Sequence, residues 1–174
     1  MKKIKKTEIQ NKGNFDSTSR LLTIAIAAAV VVLIISVLMF MENASGSIVI
    51  KNNSELKLEY VKAYYVDAEG PVNEGIKTEV IEAGNSITLP SEEIDLLYRE
   101  ANLEVRFKFE NMDELFVDAG YFNDQFDGKI TIDFDQISEE EINLKVKAKN
   151  GFLPSQLLDC DEEFMIYLTE GYVD

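Results

Sequence analysis

Histidine and tryptophan are absent from these 174 residues, and cysteine occurs once. Without histidine there is no Ser-His-Asp or Cys-His arrangement and no imidazole base near neutral pH. A single cysteine forms no internal disulfide, and neither a zinc site of His and Cys nor a cysteine-ligated iron–sulfur cluster can be assembled from one chain. Positive charge is also scarce: 17 Lys and Arg face 32 Asp and Glu, a formal net of −15. Phosphate backbones need basic patches, so nucleic acid is not the expected partner.

One long apolar run stands out. Leu21 to Met41 holds no charged residue, and its only polar side chains are Thr23 and Ser36. As a helix rising about 1.5 Å per residue, it would span about 30 Å, the hydrocarbon thickness of a bilayer. Both hydroxyls can return to the helix's own carbonyls. A transmembrane helix is therefore expected over 21–41, with Leu21, Ile26, Val31, Ile35 and Phe40 marking its course through the membrane.

The flanks carry opposite charge. Residues 1–20 form a basic tail with Lys2, Lys3, Lys5, Lys6, Lys12 and Arg20 against Glu8 and Asp16, a net of +4. Residues 42–174 hold 11 basic and 30 acidic residues, a net of −19. The positive-inside rule leaves the tail in the cytoplasm and sends the long C-terminal part across the cell membrane. The apolar run is longer than a cleaved signal needs, so a permanent anchor is expected. Ala44-Ser45-Gly46 offers small residues, and cleavage before Ser47, releasing a secreted domain, is the alternative. Lys12-Gly13 has the basic-Gly form of a pilin-type cut but lies too far from the apolar run. An exported domain without paired cysteines points to a prokaryotic envelope rather than a eukaryotic secretory pathway. The sequons Asn43-Ala44-Ser45 and Asn52-Asn53-Ser54 are read as a polar stalk and a turn.

A spacer, residues 42–47, leads to a domain over 48–174, long enough for its own core. Its periodicity is that of strands. Leu103, Val105, Phe107 and Phe109 alternate with Glu104, Arg106, Lys108 and Glu110, so one face is buried and the other wet. The same alternation runs through Ile48 to Lys51, Leu56 to Tyr60, Ile130 to Phe134 and Ile142 to Lys149. Phe164 to Leu168 is almost continuously apolar and reads as a central strand. Asp127-Gly128 reads as a type I′ hairpin turn. Only Ser91 to Glu100 has a helix-start pattern, giving one short helix, with a strand over Ile94 to Tyr98 as the alternative. The expected fold is mainly β: a single transmembrane helix followed by an antiparallel immunoglobulin-like sandwich with at most one short helix.

Carboxylates are the only acid-base groups in quantity. Paired acids can hydrolyse glycosides, but with 30 acids in this domain close pairs arise by chance. Phe116-Val117-Asp118-Ala119-Gly120 resembles the hydrophobic-Asp-Thr/Ser-Gly of aspartic proteases. Ala119 replaces the hydroxyl residue, however, and a strand entering a glycine turn explains the same letters. Calcium is the ion best suited to this composition. Asp159, Asp161, Glu162 and Glu163, around Cys160, are the candidate ligands, against solvated acidity as the competing reading. A second pattern, Asn123, Gln125, Asp127 and Gly128, lacks the closing Glu. Cys160 is read as a small buried hydrophobe whose thiol the neighbouring acids keep protonated, with an intermolecular disulfide as the other reading.

No catalytic residue and no cofactor are expected. The reading is a single-pass, membrane-anchored, extracytoplasmic β-domain, a non-catalytic binding or adaptor module or a membrane-complex subunit contacting another envelope protein. Ala25 and Ala29 stand at the spacing of helix-packing pairs. A carboxylate-only envelope hydrolase is the alternative, and a close acid pair with one raised pKa in a deep pocket would favour it. The negative domain should stand off anionic surfaces and prefer basic or cation-bridged partners.

Overall fold

A computed structural model of the chain describes residues 17–42, 46–91, 94–96, 99–123, 126–150 and 158–174. The chain divides into two units, Met1–Phe40 and Met41–Asp174. Helix α1, Ser17–Glu42, lies in the first except for its last two residues. Its stretch Arg20–Leu38 has a mean hydropathy of 3.1, long and apolar enough to cross a membrane. Apolar side chains cover it all round: Leu21, Ile26, Val31 and Ile35 are all exposed, and Phe40 lies in its last turns. A core helix of a soluble protein buries a stripe, and Arg20–Leu38 buries none. Ser36 donates its hydroxyl to the Val32 carbonyl at 2.8 Å, so that polar group is satisfied within the helix.

The second unit is built from strands. In chain order they are β1 (Ser47–Asn53), β2 (Leu58–Asp67), β3 (Gly70–Pro71), β4 (Ile76–Lys77), β5 (Ser86–Pro90) and β6 (Ala101–Phe109). There follow β7 (Leu115–Phe122), β8 (Lys129–Gln136), β9 (Glu141–Lys149), β10 (Leu158–Asp159), β11 (Asp161–Tyr167) and β12 (Tyr172–Val173). The first sheet has the order β12-β11-β9-β8-β1-β5, and the second β10-β7-β6-β2-β3 with β4 also on β2. Alternate residues of both sheets fill one core, among them Ile50, Val105, Phe107, Ile132, Phe134 and Leu144. Phe107 of the second sheet meets Phe134 of the first edge-on at 5.2 Å, and both touch Phe109. Edge-to-face packing suits the ring quadrupoles and adds to the area buried. The expected mainly-β sandwich is the fold.

Several expectations are corrected in detail. β1 and β8 run parallel, Ser47 opposite Lys129 through Asn53 opposite Asp135. Between them the chain passes through the second sheet twice, so β8 enters in the direction of β1. The Asp127-Gly128 pair is not a hairpin, since it precedes a strand in the other sheet from β7. Gly128 has no positive φ, and a Cβ there would lie 2.0 Å from the Lys149 carbonyl oxygen. Close backbone approach is what requires the glycine. The strand β11 is not central, because among the described residues only the two-residue β12 lies outside it; of Phe164 to Tyr167 only Ile166 is fully buried.

The helix expected over Ser91 to Glu100 is not found in its described residues. Ile94 instead bridges Phe126, with both backbone hydrogen bonds formed. Glu92, Glu93, Leu97 and Tyr98 lie outside the described residues. Asn52 of the second sequon is fully buried. Its amide donates to the carbonyls of Leu56 at 2.7 Å and Ile81 at 3.1 Å, and its oxygen accepts from the Ser54 hydroxyl at 2.6 Å. It closes the turn from β1 to β2, consistent with the turn reading. Asn43-Ala44-Ser45 lies outside the described residues.

Candidate functional site

The acidic run around Cys160 is divided by the strand itself. Leu158 and Asp159 pair with β7 in the second sheet, whereas Asp161 to Tyr167 pair with β9 in the first. Cys160 is the corner between them, and its carbonyl accepts the Ala148 N–H at 2.9 Å. Beyond the corner, side chains alternate. Asp161 takes the Lys147 ammonium, and Glu163 lies 3.6 Å from the Lys145 ammonium and accepts from the Asn143 amide. Glu162 instead accepts the Gly120 backbone N–H at 2.9 Å. The four calcium candidates therefore do not converge, and no three acid or thiol groups among the described residues are placed to hold a metal ion. Gln125 of the second calcium pattern lies outside the described residues. The Cys160 thiol is pushed up to about 12, by burial first and by the Glu162 charge next.

A denser constellation lies on the outward face of the second sheet. The strand pairing sets Glu104 opposite Tyr64 on one side and Asp118 on the other. The next row sets Arg106 opposite Lys62 and Phe116. Glu104 is only 9% exposed although it faces outward, because its neighbours cover it. It accepts from the Tyr64 hydroxyl and from Arg106 Nε at 2.6 Å. Arg106 also donates Nε to the Tyr64 oxygen at 2.8 Å and a terminal N–H to Glu114 at 2.9 Å. Glu114 accepts from the Tyr60 hydroxyl on its other oxygen. The guanidinium lies 4.9 Å from the centre of the Phe116 ring.

Each charge is set by these contacts. Hydrogen bonds from Tyr60 and Arg106 lower the Glu114 carboxyl. Its bonds to Tyr64 first, then to Glu114 and Glu104, hold Arg106 still more firmly protonated. Burial raises the Tyr64 phenol, and its bond to Glu104 raises it further. Asp118 lies beyond the network; although the residue is exposed, partial desolvation of its carboxyl and then the Glu104 charge beside it raise it.

Asp118 and Glu104 also line a cleft of about 370 Å³, together with Asp67, Glu100, Asn102 and Tyr121. The Tyr121 hydroxyl donates to Glu100 at 3.0 Å. Asp67 is paired with Arg99 at 3.6 Å. The cleft is thus acidic with one aromatic wall, open to solvent and suited to a positively charged group. Its carboxylates come from β2, β6, β7 and the approach to β6. The sequence alternation marks Glu104 and Arg106 as wet but cannot reveal that Tyr60, Tyr64 and Glu114 close around them.

These features define the class: a mainly-β sandwich domain following a helix able to span a membrane, with an acidic cleft on one sheet. No family model matches the chain, and no curated protein matches it. A solved structure described as the NMR structure of the protein from Eubacterium rectale is similar over 63% of this chain and 93% of that one, at 10% identity and a TM-score of 0.36. Nothing about function transfers at that distance.

Proposed function

We propose that this chain is a single-pass protein of a prokaryotic cell membrane that holds a non-catalytic binding domain outside the cytoplasm. The observation that carries the reading is the charge split about the apolar helix, +4 over residues 1–20 and −19 over 42–174. Such asymmetry retains the short tail on the cytoplasmic side and exports the domain. The partner is another envelope protein, met through a basic surface that the acidic cleft complements.

The hydrolase alternative rests on the pair Glu104 and Asp118, one of them raised in pKa. Three features weigh against it. The cleft is open rather than deep; Glu104 is already bound by Arg106 and Tyr64; and Asp118 stands at an exposed rim. A carboxylate held by a guanidinium is a poor base and a poor nucleophile.

Protease shaving of intact cells tests the topology. Digestion of residues 48–174 without permeabilisation is expected, and their survival until permeabilisation reverses the orientation. Mild crosslinking followed by purification in detergent tests the binding role. A stoichiometric partner lost on Asp118→Lys supports it, and a chain that is always recovered alone counts against it.

A further inference from the structure

A sheet edge is a row of unpaired N–H and C=O groups, and folded domains blunt it with short strands, charge, proline or cover. The other edges of this sandwich are blunted in these ways. β3, β4 and β12 have two residues each, β3 holds Pro71, β4 holds Lys77, and β5 ends at Pro90. β11 carries Asp161 and Glu163 and is bonded at Met165 by Asp174. β7 is the exception. On its outer side β10 pairs only with Tyr121 and Phe122, and the chain then turns at Cys160 into the other sheet. Leu115 to Ala119 therefore has β6 on one side and, among the described residues, no strand paired on the other. This stretch contains neither proline nor lysine.

One bond gives the direction of its free groups. Gly120 donates its N–H not to β6 but to Glu162 of the other sheet, at 2.9 Å. Backbone groups along a strand point alternately to its two sides, so the N–H and C=O of Phe116 and Asp118 face the open edge, and those of Val117 face β6. No backbone group outside the β6–β7 ladder bonds to Phe116 or Asp118 among the described residues. Their side chains lie on the outward face, and both residues are exposed. Glu104 and Glu114 are bonded by Arg106, whereas Asp118 forms no ion pair among the described residues.

We propose that the edge of β7 from Leu115 to Ala119 takes up an extended segment of a partner protein as an added strand, with Lys or Arg at alternate positions along its outward face. This rests on the binding-domain reading and adds how the partner is held. Main-chain bonds to Phe116 and Asp118 set the register, and cross-strand pairing brings a basic side chain to within about 5 Å of Asp118. From there a long side chain extends into the cleft that Asp118 and Glu104 line. The intervening residues of the segment lie beside Val117, at the margin of the core, and are apolar. Charge decides against a second copy as the occupant, because pairing two β7 edges would join two domains of −19 each.

The test uses the full chain in neutral-detergent micelles and an end-blocked octapeptide of alternating Lys and Val, read by amide hydrogen exchange. At saturation the amides of Phe116 and Asp118 should slow at least about tenfold, while Val117, already bonded to β6, changes little. A peptide of four Lys followed by four Val has the same charge and should bind about tenfold more weakly. Methylating the backbone nitrogen of every Lys in one peptide, and of every Val in another, should abolish binding in one case only, because alternate N–H groups face β7. Phe116→Pro removes an edge donor, keeps every acid and should weaken binding about tenfold. If that variant fails to fold, the methylated peptides still decide. Binding that survives Phe116→Pro and both methylations but is lost in Asp118→Lys overturns the added strand, and leaves the acidic cleft as a contact for a basic surface. Failure of the alternating peptide to slow the two amides also overturns it. Slowing of the same amides as the chain's own concentration rises, without peptide, gives the edge to a second copy and overturns the basic partner.

Discussion

Glu104 and Asp118 stand directly opposite one another on β6 and β7, two carboxylates side by side on the outward face of a sheet. Their environments differ. Glu104 is covered and bonded to Tyr64 and Arg106, while Asp118 lies at the rim of the cleft and feels its neighbour's charge. One is held by a network and the other bears the repulsion.

The network predicts unequal effects of truncation. Glu104→Ala leaves the Tyr64 hydroxyl without its acceptor and Arg106 with one carboxylate, and should cost about 2–3 kcal/mol. Tyr64→Phe removes a single bond and should cost about 1 kcal/mol. The double variant should cost less than the sum, since the two residues share one hydrogen bond. Thermal or urea unfolding of the chain in neutral detergent checks this, and a neutral Glu104→Ala would show that the network contributes nothing.

Asp118 predicts a gain. Its carboxyl is raised in the folded chain, so between its unfolded and folded pKa the folded form binds more protons. Stability from this group is therefore greatest at low pH and is lost as pH rises through the folded value. Asp118→Asn should stabilise the protein at neutral pH, by less than about 1 kcal/mol because the group is exposed and screened. The advantage over the unaltered chain should vanish on acidification below the ordinary aspartate range. Paired unfolding curves across pH measure it, and an advantage that persists in acid would contradict the assignment.

Much of this fold is legible in the alternation of apolar and charged residues. Leu103 to Phe109 and Ile142 to Ala148 announce which face is buried, because in a sheet wet on one side burial has a period of two. What alternation cannot carry is pairing partner and direction. Ile48 and Ile50 would alternate identically beside a parallel or an antiparallel β8. The end of the chain misleads for a related reason: Phe164 to Leu168 has an apolar composition but lies next to the sheet edge, where partly buried side chains suffice. The outward network is less legible still. Tyr60, Glu104 and Glu114 are distant in sequence, and only the register makes them neighbours.

Gly120 and Cys160 predict a sharp packing limit. Gly120 has φ +69, and a Cβ there would lie 2.4 Å from the Cys160 Cβ and 2.7 Å from its sulfur. Gly120→Ala therefore meets both a left-handed backbone and a steric clash at the corner where the chain changes sheets. A loss of 3 kcal/mol or more is expected, roughly the sum of backbone strain and overpacking. The thiol, buried and raised to about 12, should resist maleimide in the folded chain and react once urea exposes it. Rapid labelling of the native protein would place Cys160 elsewhere.

The helix predicts how much charge the anchor tolerates. On insertion scales Leu, Ile, Val and Phe each favour the membrane by about 0.3–0.6 kcal/mol, and a central Arg opposes it by about 2.5–3.5 kcal/mol. Residues 21–41 hold 13 residues of those four types, a favourable total of about 4–8 kcal/mol. Val31→Arg alone is outweighed, and the chain should stay in the membrane pellet after alkaline carbonate extraction. Val31→Arg with Ile35→Arg brings the balance near zero, and a large fraction should move to the supernatant. These two positions lie one turn apart on α1, so both charges face the same lipid and cannot be hidden by rotating the helix. If the doubly substituted chain remains wholly in the pellet, something other than this helix holds the protein on the membrane. If the unaltered chain is released by carbonate, the helix does not span it.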